Sequence, residues 1–380
     1  MNFFRNIFTP RIGPEFMPSA VGVKRVGIVS TWFQRGVPYQ SRFLSKALSV
    51  AHDVYIFAYK ELTEDERDWG YKKLAFSKKI SSAKVINWIK KDKPRVIFFP
   101  DRLEDKKVLA FCEKANIATI MVINYETICK EDFGFYERYT RLLCPVKCTY
   151  DALERMGIKN IHFIRWAVDT SVYSPGRAPE GRSPVRFIHN AGFGGVGFRK
   201  NTEAVVVAFD KASRENKNIE LILKTQKPLK NYPKIISDIV ERNPQISANE
   251  KDLGLDDLLD LTRSCHVSLL PSKWEGIGLP FLESLSMGLP VLTVDAPPMN
   301  EWVVNDVTGY CCKVKEWEGK HREKNIVKAA LVDTDDYAKQ ILRFSNLDLV
   351  DSMRDRSIAS AKQWESEFLT KINEFTDSLM

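Results

Sequence analysis

Short apolar runs alternate with amphipathic segments along the first half of the chain. Four runs are rich in Val, Ile and Phe and have the length of buried strands: KRVGIVST, DVYIFAY, RVIFFP and ATIMVIN. Apolar positions at helical spacing occur from Phe43 to Leu48 and in the segments SSAKVINWIKK and EDKKVLAFCEKA. Near-continuous apolar strands separated by helices predict a parallel sheet that is buried on both faces.

This alternation stops and then restarts in the second half. Between Val168 and Pro184 the composition shifts to Pro, Gly, Ser and Arg, which predicts an exposed linker between domains. Strand-like and helical segments then alternate again: VRFIHNAG, NTEAVVVAFDKA, NIELILKT, DDLLDLTRS, CHVSLLPS and PVLTVDAP. We therefore predict an α/β protein with two Rossmann-like domains, residues 23–178 and 179–333. A polar helical tail over residues 334–380 is predicted to pack across both domains.

Length and composition agree with this division. A chain of 380 residues is too long for one ordinary core, and 44% hydrophobic with 28% charged residues is typical of a soluble globular protein. No stretch resembles a membrane span. Residues 1–22 are expected to form a disordered leader, because Arg5 and Pro10 interrupt its apolar start. The alternative is peripheral membrane contact through the aromatic residues of this leader.

The cysteines indicate a reducing compartment. They are seven in number, and several fall inside strand-like apolar runs, where a free thiol behaves as a small hydrophobic group. Cys144 and Cys148 lie close in sequence, but no second pair or histidine cluster completes a zinc site. We therefore expect a cytoplasmic protein without a structural metal.

Charge is distributed unevenly between the two halves. Residues 1–178 contain 30 Lys and Arg against 19 Asp and Glu, which gives +11, whereas residues 179–380 contain 27 against 30, which gives −3. The first half is therefore expected to present a basic surface. The alternative is that its Lys and Arg residues lie on solvated helix faces, which is the commoner cause of a local excess of basic residues.

The segment from Pro271 to Pro290, PSKWEGIGLPFLESLSMGLP, indicates an anion site. An apolar strand enters a glycine-containing loop, Pro280 suits the first position of a helix, and Gly288 ends that helix. Free backbone N–H groups from Ile277 to Leu279 would point outward at the helix N-terminus, where a diphosphate is favoured. A glutamate stands on each side of this turn, and carboxylates accept hydrogen bonds from vicinal hydroxyls. A nucleotide-diphosphate sugar has this pattern of groups.

Glu275, seven residues and then Glu283, flanked by Pro-Ser and by Met-Gly-Leu-Pro-Val, resemble the donor-site motif of retaining glycosyltransferases with the GT-B fold, especially family 4 (group 1). The resemblance implies that Glu283 binds the ribose of the nucleotide and that Glu275 faces the transferred sugar. It assigns the phosphates to the amides of Ile277, Gly278 and Leu279, and Gly276 is also expected in the nucleotide-sugar site.

The resemblance extends to other segments of the chain. HNAGFGGVGFRKNTEAVVVAF is similar to the start of the family's second domain, which assigns Arg199 and Lys200 to the donor diphosphate. NIELILKTQ and the glycine loop of the first domain add Lys224 and Gly36 to the nucleotide-sugar site. A histidine that the family often has near the sugar is absent, and Asn124, Tyr125 and Glu126 occupy that loop. His189 is expected to be a hydrogen-bonded core histidine rather than an acid or base.

The resemblance implies a cytoplasmic, metal-independent glycosyltransferase with Glu275, Lys200 and Arg199 as catalytic residues and UDP or GDP in the donor. Its first domain would receive the acceptor and its second domain would bind the donor. The basic first half suggests an anionic acceptor or surface, such as a lipid-linked glycan at a membrane face in cell-surface polysaccharide or glycolipid synthesis. Two alternatives stay open: transfer to a hydroxylated base of modified DNA, and a nucleotide-sugar-binding protein without turnover.

Overall fold

The protein was analysed as a computed structural model, which describes residues 24–33, 36–62, 69, 73–100, 105–176, 184–192, 198–320 and 325–380. The predicted leader, residues 1–22, lies outside the described residues. The two predicted domains each contain one parallel sheet.

The sheet of the first domain has seven described strands, and every pair of neighbours is parallel. In chain order they are β1 (Arg25–Trp32), β2 (Asp53–Leu62), β3 (Lys73–Ser77), β4 (Val96–Phe99), β5 (Ala118–Val122), β6 (Arg141–Cys144) and β7 (Ile161–Phe163). Across the sheet the order is β3-β2-β1-β4-β5-β6-β7. The order reverses beside β1, which creates a crevice at the carboxyl ends of the strands.

Helices cover both faces of this sheet. They are α1 (Gly36–Leu48), α2 (Ser82–Asp92), α3 (Lys106–Lys114), α4 (Phe133–Tyr136) and α5 (Lys147–Arg155). Successive residues of β1 point to opposite faces, so that Ile28 packs in the same core as Leu44 of α1, and Val29 packs in the same core as Val85 of α2. The near-continuous apolar strands follow from this two-sided burial.

The second domain repeats the arrangement with six parallel strands in the order β10-β9-β8-β11-β12-β13. These strands are β8 (Val185–Gly192), β9 (Ile219–Thr225), β10 (Ile246–Asn249), β11 (Val267–Leu269), β12 (Val291–Val294) and β13 (Gly309–Cys312). Its helices are α6 (Thr202–Glu215), α7 (Lys234–Arg242), α8 (Leu255–Arg263) and α9 (Leu279–Ser286). Two Rossmann-like domains with parallel sheets are therefore confirmed.

An antiparallel hairpin follows the last parallel strand and has no counterpart in the sequence-based prediction. It consists of β14 (Val314–Lys320) and β15 (Lys328–Val332). Mixed polar and apolar residues in KVKEWEGK gave no strong strand signal, because one face of this hairpin is exposed.

The polar tail consists of two helices, α10 (Thr334–Arg343) and α11 (Leu347–Asp377). As predicted, it crosses back: α11 contacts α9 of the second domain and α1 of the first. Phe368 of α11 stacks on Phe43 of α1 with ring centroids 5.1 Å apart, and lies 4.8 Å from the ring of Trp166. Near the end of α11, Asp377 accepts a hydrogen bond from Lys24 at 2.8 Å.

The described part of the predicted linker, residues 168–176, includes residues that are not exposed as its composition predicted. Val168, Asp169 and Tyr173 are buried, because α11 and α9 cover this stretch of chain. Asp169 accepts a hydrogen bond from Lys46 of α1 at 2.6 Å, and Ser286 of α9 donates one to the carbonyl of Tyr173 at 2.7 Å.

Glu301 joins the domains through a helix cap. Its carboxylate oxygens accept hydrogen bonds from the backbone N–H groups of Lys147 and Cys148 at 2.6 and 2.7 Å, at the N-terminus of α5. A negative side chain satisfies the unpaired N–H groups and the dipole at that end of a helix. The second domain therefore caps a helix of the first.

We expect Phe368→Ala to destabilise the protein by about 3–5 kcal/mol, because it removes a fully buried ring that joins α11 to the first domain. Urea unfolding followed by circular dichroism measures this change. The matched control is Lys362→Ala, an exposed position on the same helix. Equal stability of the two variants would contradict the role given to α11.

Candidate active site

The two domains line a cavity of about 790 Å³ at the carboxyl ends of their strands. The first domain contributes Gly36, Gln40, Asn124 and Glu126. The second domain contributes the ends of β8, β9 and β11, with every donor-site residue that the sequence predicted: Arg199, Lys200, Lys224, Glu275, Gly276, Ile277, Gly278, Leu279 and Glu283. The structure therefore brings the predicted residues together in one cavity.

The glycine loop between β11 and α9 presents unpaired backbone donors to this cavity. Among the described residues, the N–H groups of Ile277, Gly278 and Leu279 have no hydrogen-bond acceptor. Gly278 has a φ of +95°, a conformation that disfavours any side chain. The indole of Trp302 donates a hydrogen bond to the carbonyl of Ile277 at 2.7 Å and fixes the loop.

Helix α9 begins one residue earlier than the sequence predicted. Leu279 is its first residue and Pro280 its second, where the missing N–H still breaks no helical hydrogen bond. The helix ends at Ser286, and Gly288 follows with a φ of +83°. The N-terminus of α9 therefore faces the cavity with its dipole and three free amides.

Glu275 forms a buried ion pair with both predicted cations. Lys200 Nζ lies 2.5 Å from Glu275 Oε1, and Arg199 Nη1 lies 2.5 Å from Glu275 Oε2. Lys200 and Glu275 are 5% and 4% exposed, so water screens their pair weakly. The sequence-based prediction assigned separate roles to these residues and did not include a contact between them.

The pairing controls the charge of each group. Burial opposes ionisation of Glu275, but Arg199 and Lys200 outweigh it and lower the pKa of this carboxyl to about 2. Glu275 raises the pKa of Arg199, while burial lowers the pKa of Lys200. Taken by themselves, Lys200, Arg199 and Glu275 carry a net charge of +1.

Glu283 lies in the first turns of α9 in a different environment. Burial raises its pKa to about 7, although a hydrogen bond from Tyr173 opposes the shift. Tyr173 belongs to the interdomain segment and lines the same cavity. Sequence reasoning missed this residue because the segment read as exposed.

Lys224 and Gly36 also line the cavity. Lys224 is 2% exposed, and its Nζ donates a hydrogen bond to the carbonyl of Lys251 at 2.7 Å, so it ties the end of β9 to the following loop. Gly36 opens α1 with open space around its α-carbon.

The first-domain loop that lacks the expected histidine reaches this cluster. Tyr125 donates a backbone hydrogen bond to the carbonyl of Gly276 at 3.1 Å. A Cβ atom at position 276 would lie 3.1 Å from both Asn124 Cβ and Glu126 Oε1, so only glycine allows this approach without displacement. Glu126 acts electrostatically on Arg199 and Lys200.

One further expectation concerns a histidine outside this cluster. His189 Nδ1 lies 2.7 Å from the carbonyl oxygen of Leu269 and its Nε2 lies 2.9 Å from Thr202 Oγ1, which confirms a hydrogen-bonded core histidine; burial lowers its pKa to about 4. The one Asp-x-Asp triplet of the sequence, Asp333 to Asp335, caps α10. No metal-binding group of three or more His, Cys, Asp or Glu occurs among the described residues.

Comparison with known proteins is consistent with this geometry. Residues 194–330 match the family model described as glycosyl transferases group 1. No curated protein sequence matches the chain. The structure resembles Anabaena HepE in complex with UDP and glucose, with a TM-score of 0.68, 12% identity and coverage of 93% of this chain and 98% of HepE.

Two other solved structures show the same fold. A glycosyltransferase from Rickettsia africae has a TM-score of 0.69 and 14% identity and covers 94% of this chain and 99% of its own. WaaG, a glycosyltransferase involved in lipopolysaccharide biosynthesis, has a TM-score of 0.61 and 11% identity and covers 94% and 99%.

The chain has the GT-B fold. The predicted GT-B architecture, with its returning C-terminal helix, is confirmed. The predicted group 1 resemblance is confirmed for residues 194–330, which contain the glycine loop and both glutamates of the GT-B cleft. These findings support a glycosyltransferase.

We expect Glu283→Gln to gain stability relative to the wild type as the pH rises. The pKa of about 7 in the folded state exceeds the usual 4.5, so the folded protein holds this proton more tightly than the unfolded chain. The resulting stability is present below about pH 4.5 and is lost by about pH 7. Thermal unfolding between about pH 5 and about pH 8 measures the difference, which can reach about 3 kcal/mol.

The matched control is Glu374→Gln, an exposed glutamate on α11. Its stability relative to the wild type should not vary over the same pH range. A pH-independent difference for Glu283→Gln would contradict the raised pKa.

Proposed function

We propose that this protein is a retaining, metal-independent glycosyltransferase that moves a sugar from a nucleotide-diphosphate sugar to an acceptor hydroxyl. The observation that carries the proposal is the meeting of three free amides, two cations and a buried carboxylate in one interdomain cavity. The group 1 match over residues 194–330 and the GT-B fold support the same reaction class.

The donor orientation follows from the polarity of this cavity. The diphosphate is the most anionic part of the donor, so we place it at the free amides of Ile277 to Leu279 and at the N-terminus of α9. Lys200 and Arg199 stand beside this position and Glu283 lies inside the helix, where it accepts hydrogen bonds from the ribose. The sugar then extends past Gly276 toward Glu275 and the first domain.

The chemistry requires a leaving group with negative charge. The bond between the anomeric carbon and the phosphate oxygen breaks, and the acceptor oxygen bonds to the same face of that carbon. The acceptor's proton leaves with the nucleoside diphosphate, which balances the reaction. Fixed donors aimed at developing charge are usually the largest catalytic contribution, and here Lys200, Arg199 and the loop amides supply it.

Glu275 holds the two cations before the donor binds. Its depressed pKa keeps it ionised, so the cations are oriented and their charge is partly balanced in the empty cavity. Such preorganisation reduces the rearrangement needed at the moment of bond cleavage. Its second task is to accept hydrogen bonds from hydroxyls of the transferred sugar.

HepE was solved with UDP and glucose and with UDP alone. We propose UDP or GDP as the nucleotide and a hexose or related sugar as the transferred group. Lys224 and Gly36 are assigned to the walls of the nucleotide-sugar site.

The acceptor is proposed to be anionic or to lie at an anionic surface, as in polysaccharide or glycolipid synthesis at the cytoplasmic face of a membrane. Exposed lysines on α2 and α3 support this assignment: Lys84, Lys90, Lys91, Lys106, Lys107 and Lys114. A basic surface of this kind attracts anionic headgroups. Within the described part of the chain, no helix combines the length and apolar character that a bilayer crossing requires.

Without an added acceptor, we expect the purified protein to transfer the sugar of one member of a panel of UDP and GDP sugars slowly to water, releasing the nucleoside diphosphate with a chelator present. Lys200→Met should reduce kcat by about 100-fold or more, because the cation nearest the leaving group is lost. The matched control is Lys211→Met, an exposed lysine of α6 outside the cavity. Activity that disappears with the chelator and returns with Mn²⁺, or a product of inverted anomeric configuration by NMR, would contradict the proposal.

We expect the first-domain lysines to govern surface binding. Lys90→Glu with Lys91→Glu should weaken binding to vesicles containing anionic lipid, and added salt should weaken wild-type binding in the same way. The matched control reverses the charges of two exposed lysines of the second domain, by Lys230→Glu with Lys234→Glu. Tight, salt-dependent binding to duplex DNA without vesicle binding would contradict a membrane-face acceptor.

A further inference from the structure

The hairpin β14–β15 reaches from the second domain to the first-domain loop beside the cavity. Asn325 forms an isolated antiparallel bridge with Cys129, and Ile326 N–H donates to the carbonyl of Ile128 at 3.2 Å. Asn325 Nδ2 also donates a hydrogen bond to the carbonyl of Glu126 at 2.6 Å. The bridge, to which the Ile326–Ile128 hydrogen bond belongs, and the Asn325 side chain therefore join the connection between β14 and β15 to residues 126–129.

The hairpin also contacts the glycine loop between β11 and α9. Ala330 N–H donates to the carbonyl of Lys273 at 2.9 Å, and Trp274 packs with Val327 and Ala329 in a small buried cluster. Lys273 and Trp274 directly precede Glu275. One hairpin thus holds both the loop of Glu275 and the loop of Glu126.

These attachments place first-domain polar groups at the cavity. Glu126 Oε1 lies against Gly276 and acts electrostatically on Arg199 and Lys200. Asn124 Oδ1 is buried, lines the same cavity and has no hydrogen-bond partner among the described residues. A buried acceptor of this kind indicates that a ligand hydroxyl or a water completes the site.

We propose that Glu126 binds a hydroxyl of the transferred sugar from the first domain and that Asn325 is the positioning residue that holds Glu126 there. The proposal rests on the proposed function, because it takes the sugar end of the donor to lie beside Gly276. Asn325 is 9% exposed, so its short hydrogen bond to the Glu126 carbonyl fixes the turn in a shielded environment.

Different residues of the cavity are assigned to the sugar and to the nucleotide of the donor. Glu126 and Asn325 belong to the Gly276 side of the cavity, whereas the ribose and phosphates are assigned to Glu283 and the α9 amides. Because Glu126 also acts electrostatically on Arg199 and Lys200, its loss can change the affinity for both ligands, but the lost sugar contact weakens the nucleotide sugar relative to the nucleotide alone. The ratio of the two affinities isolates the sugar contact from any general damage to the site.

The experiment is calorimetric titration of the full chain with UDP, UDP-glucose, GDP and GDP-mannose. For Glu126→Gln we expect the affinity for the nucleotide sugar to fall about tenfold relative to the affinity for its nucleoside diphosphate, as for the loss of a hydrogen bond to a charged group. Asn325→Asp keeps the shape of the side chain but removes the donor, so it should reproduce this loss. The double variant should lose little more than either single variant, because both act on one contact.

The matched control is Trp317→Ala, an exposed residue of the same hairpin, which should bind all four ligands as the wild type does. A sugar-to-nucleotide affinity ratio that is equal in the wild type and Glu126→Gln overturns the role of Glu126. Equal loss of nucleotide and nucleotide-sugar affinity in Asn325→Asp overturns its positioning role. A wild type that binds neither UDP nor GDP contradicts the proposed function itself.

Discussion

The buried carboxylate of Glu275 between Lys200 and Arg199 is the interaction on which the site depends. An unpaired buried carboxylate costs several kcal/mol, and the buried ammonium of Lys200 beside the partly exposed Arg199 would also be costly without an anion. Each member is therefore tolerable only with the others in place, which joins the end of β11 to the start of α6. The cluster fixes two cations in the cavity that the N-terminus of α9 also lines, and Glu126 of the first domain adds a second carboxylate there.

The second constraint is that both domains must face this cluster at a fixed separation. Glu301 caps a helix of the other domain, α11 stacks Phe368 on the first domain, and the β14–β15 hairpin holds one loop from each side. Gly276 allows the two loops to approach as closely as they do. The helices and the hairpin thus hold the two domains at a fixed separation across the cleft, and the loops supply the residues that contact the ligand.

Much of this could be predicted from sequence, because the relevant signals are local. Apolar runs with helices between them specify parallel sheets. The site around Glu275 and Glu283 was predictable because its strand, its glycine loop and its helix follow one another within a short stretch of sequence. Contacts between distant segments leave no such signal. The pairing of Arg199 with Glu275, the cap that Glu301 gives to α5 and the burial of Tyr173 each join segments far apart in the chain, so periodicity and composition did not predict them.

The most direct test of the central claim is a crystal structure of the protein with a bound nucleoside diphosphate. We expect phosphate oxygens within hydrogen-bond distance of the N–H groups of Ile277 to Leu279 and of Lys200 Nζ, with the ribose hydroxyls hydrogen-bonded to Glu283. A nucleotide bound outside this cavity, or one whose phosphates contact neither the loop amides nor Lys200, would contradict it.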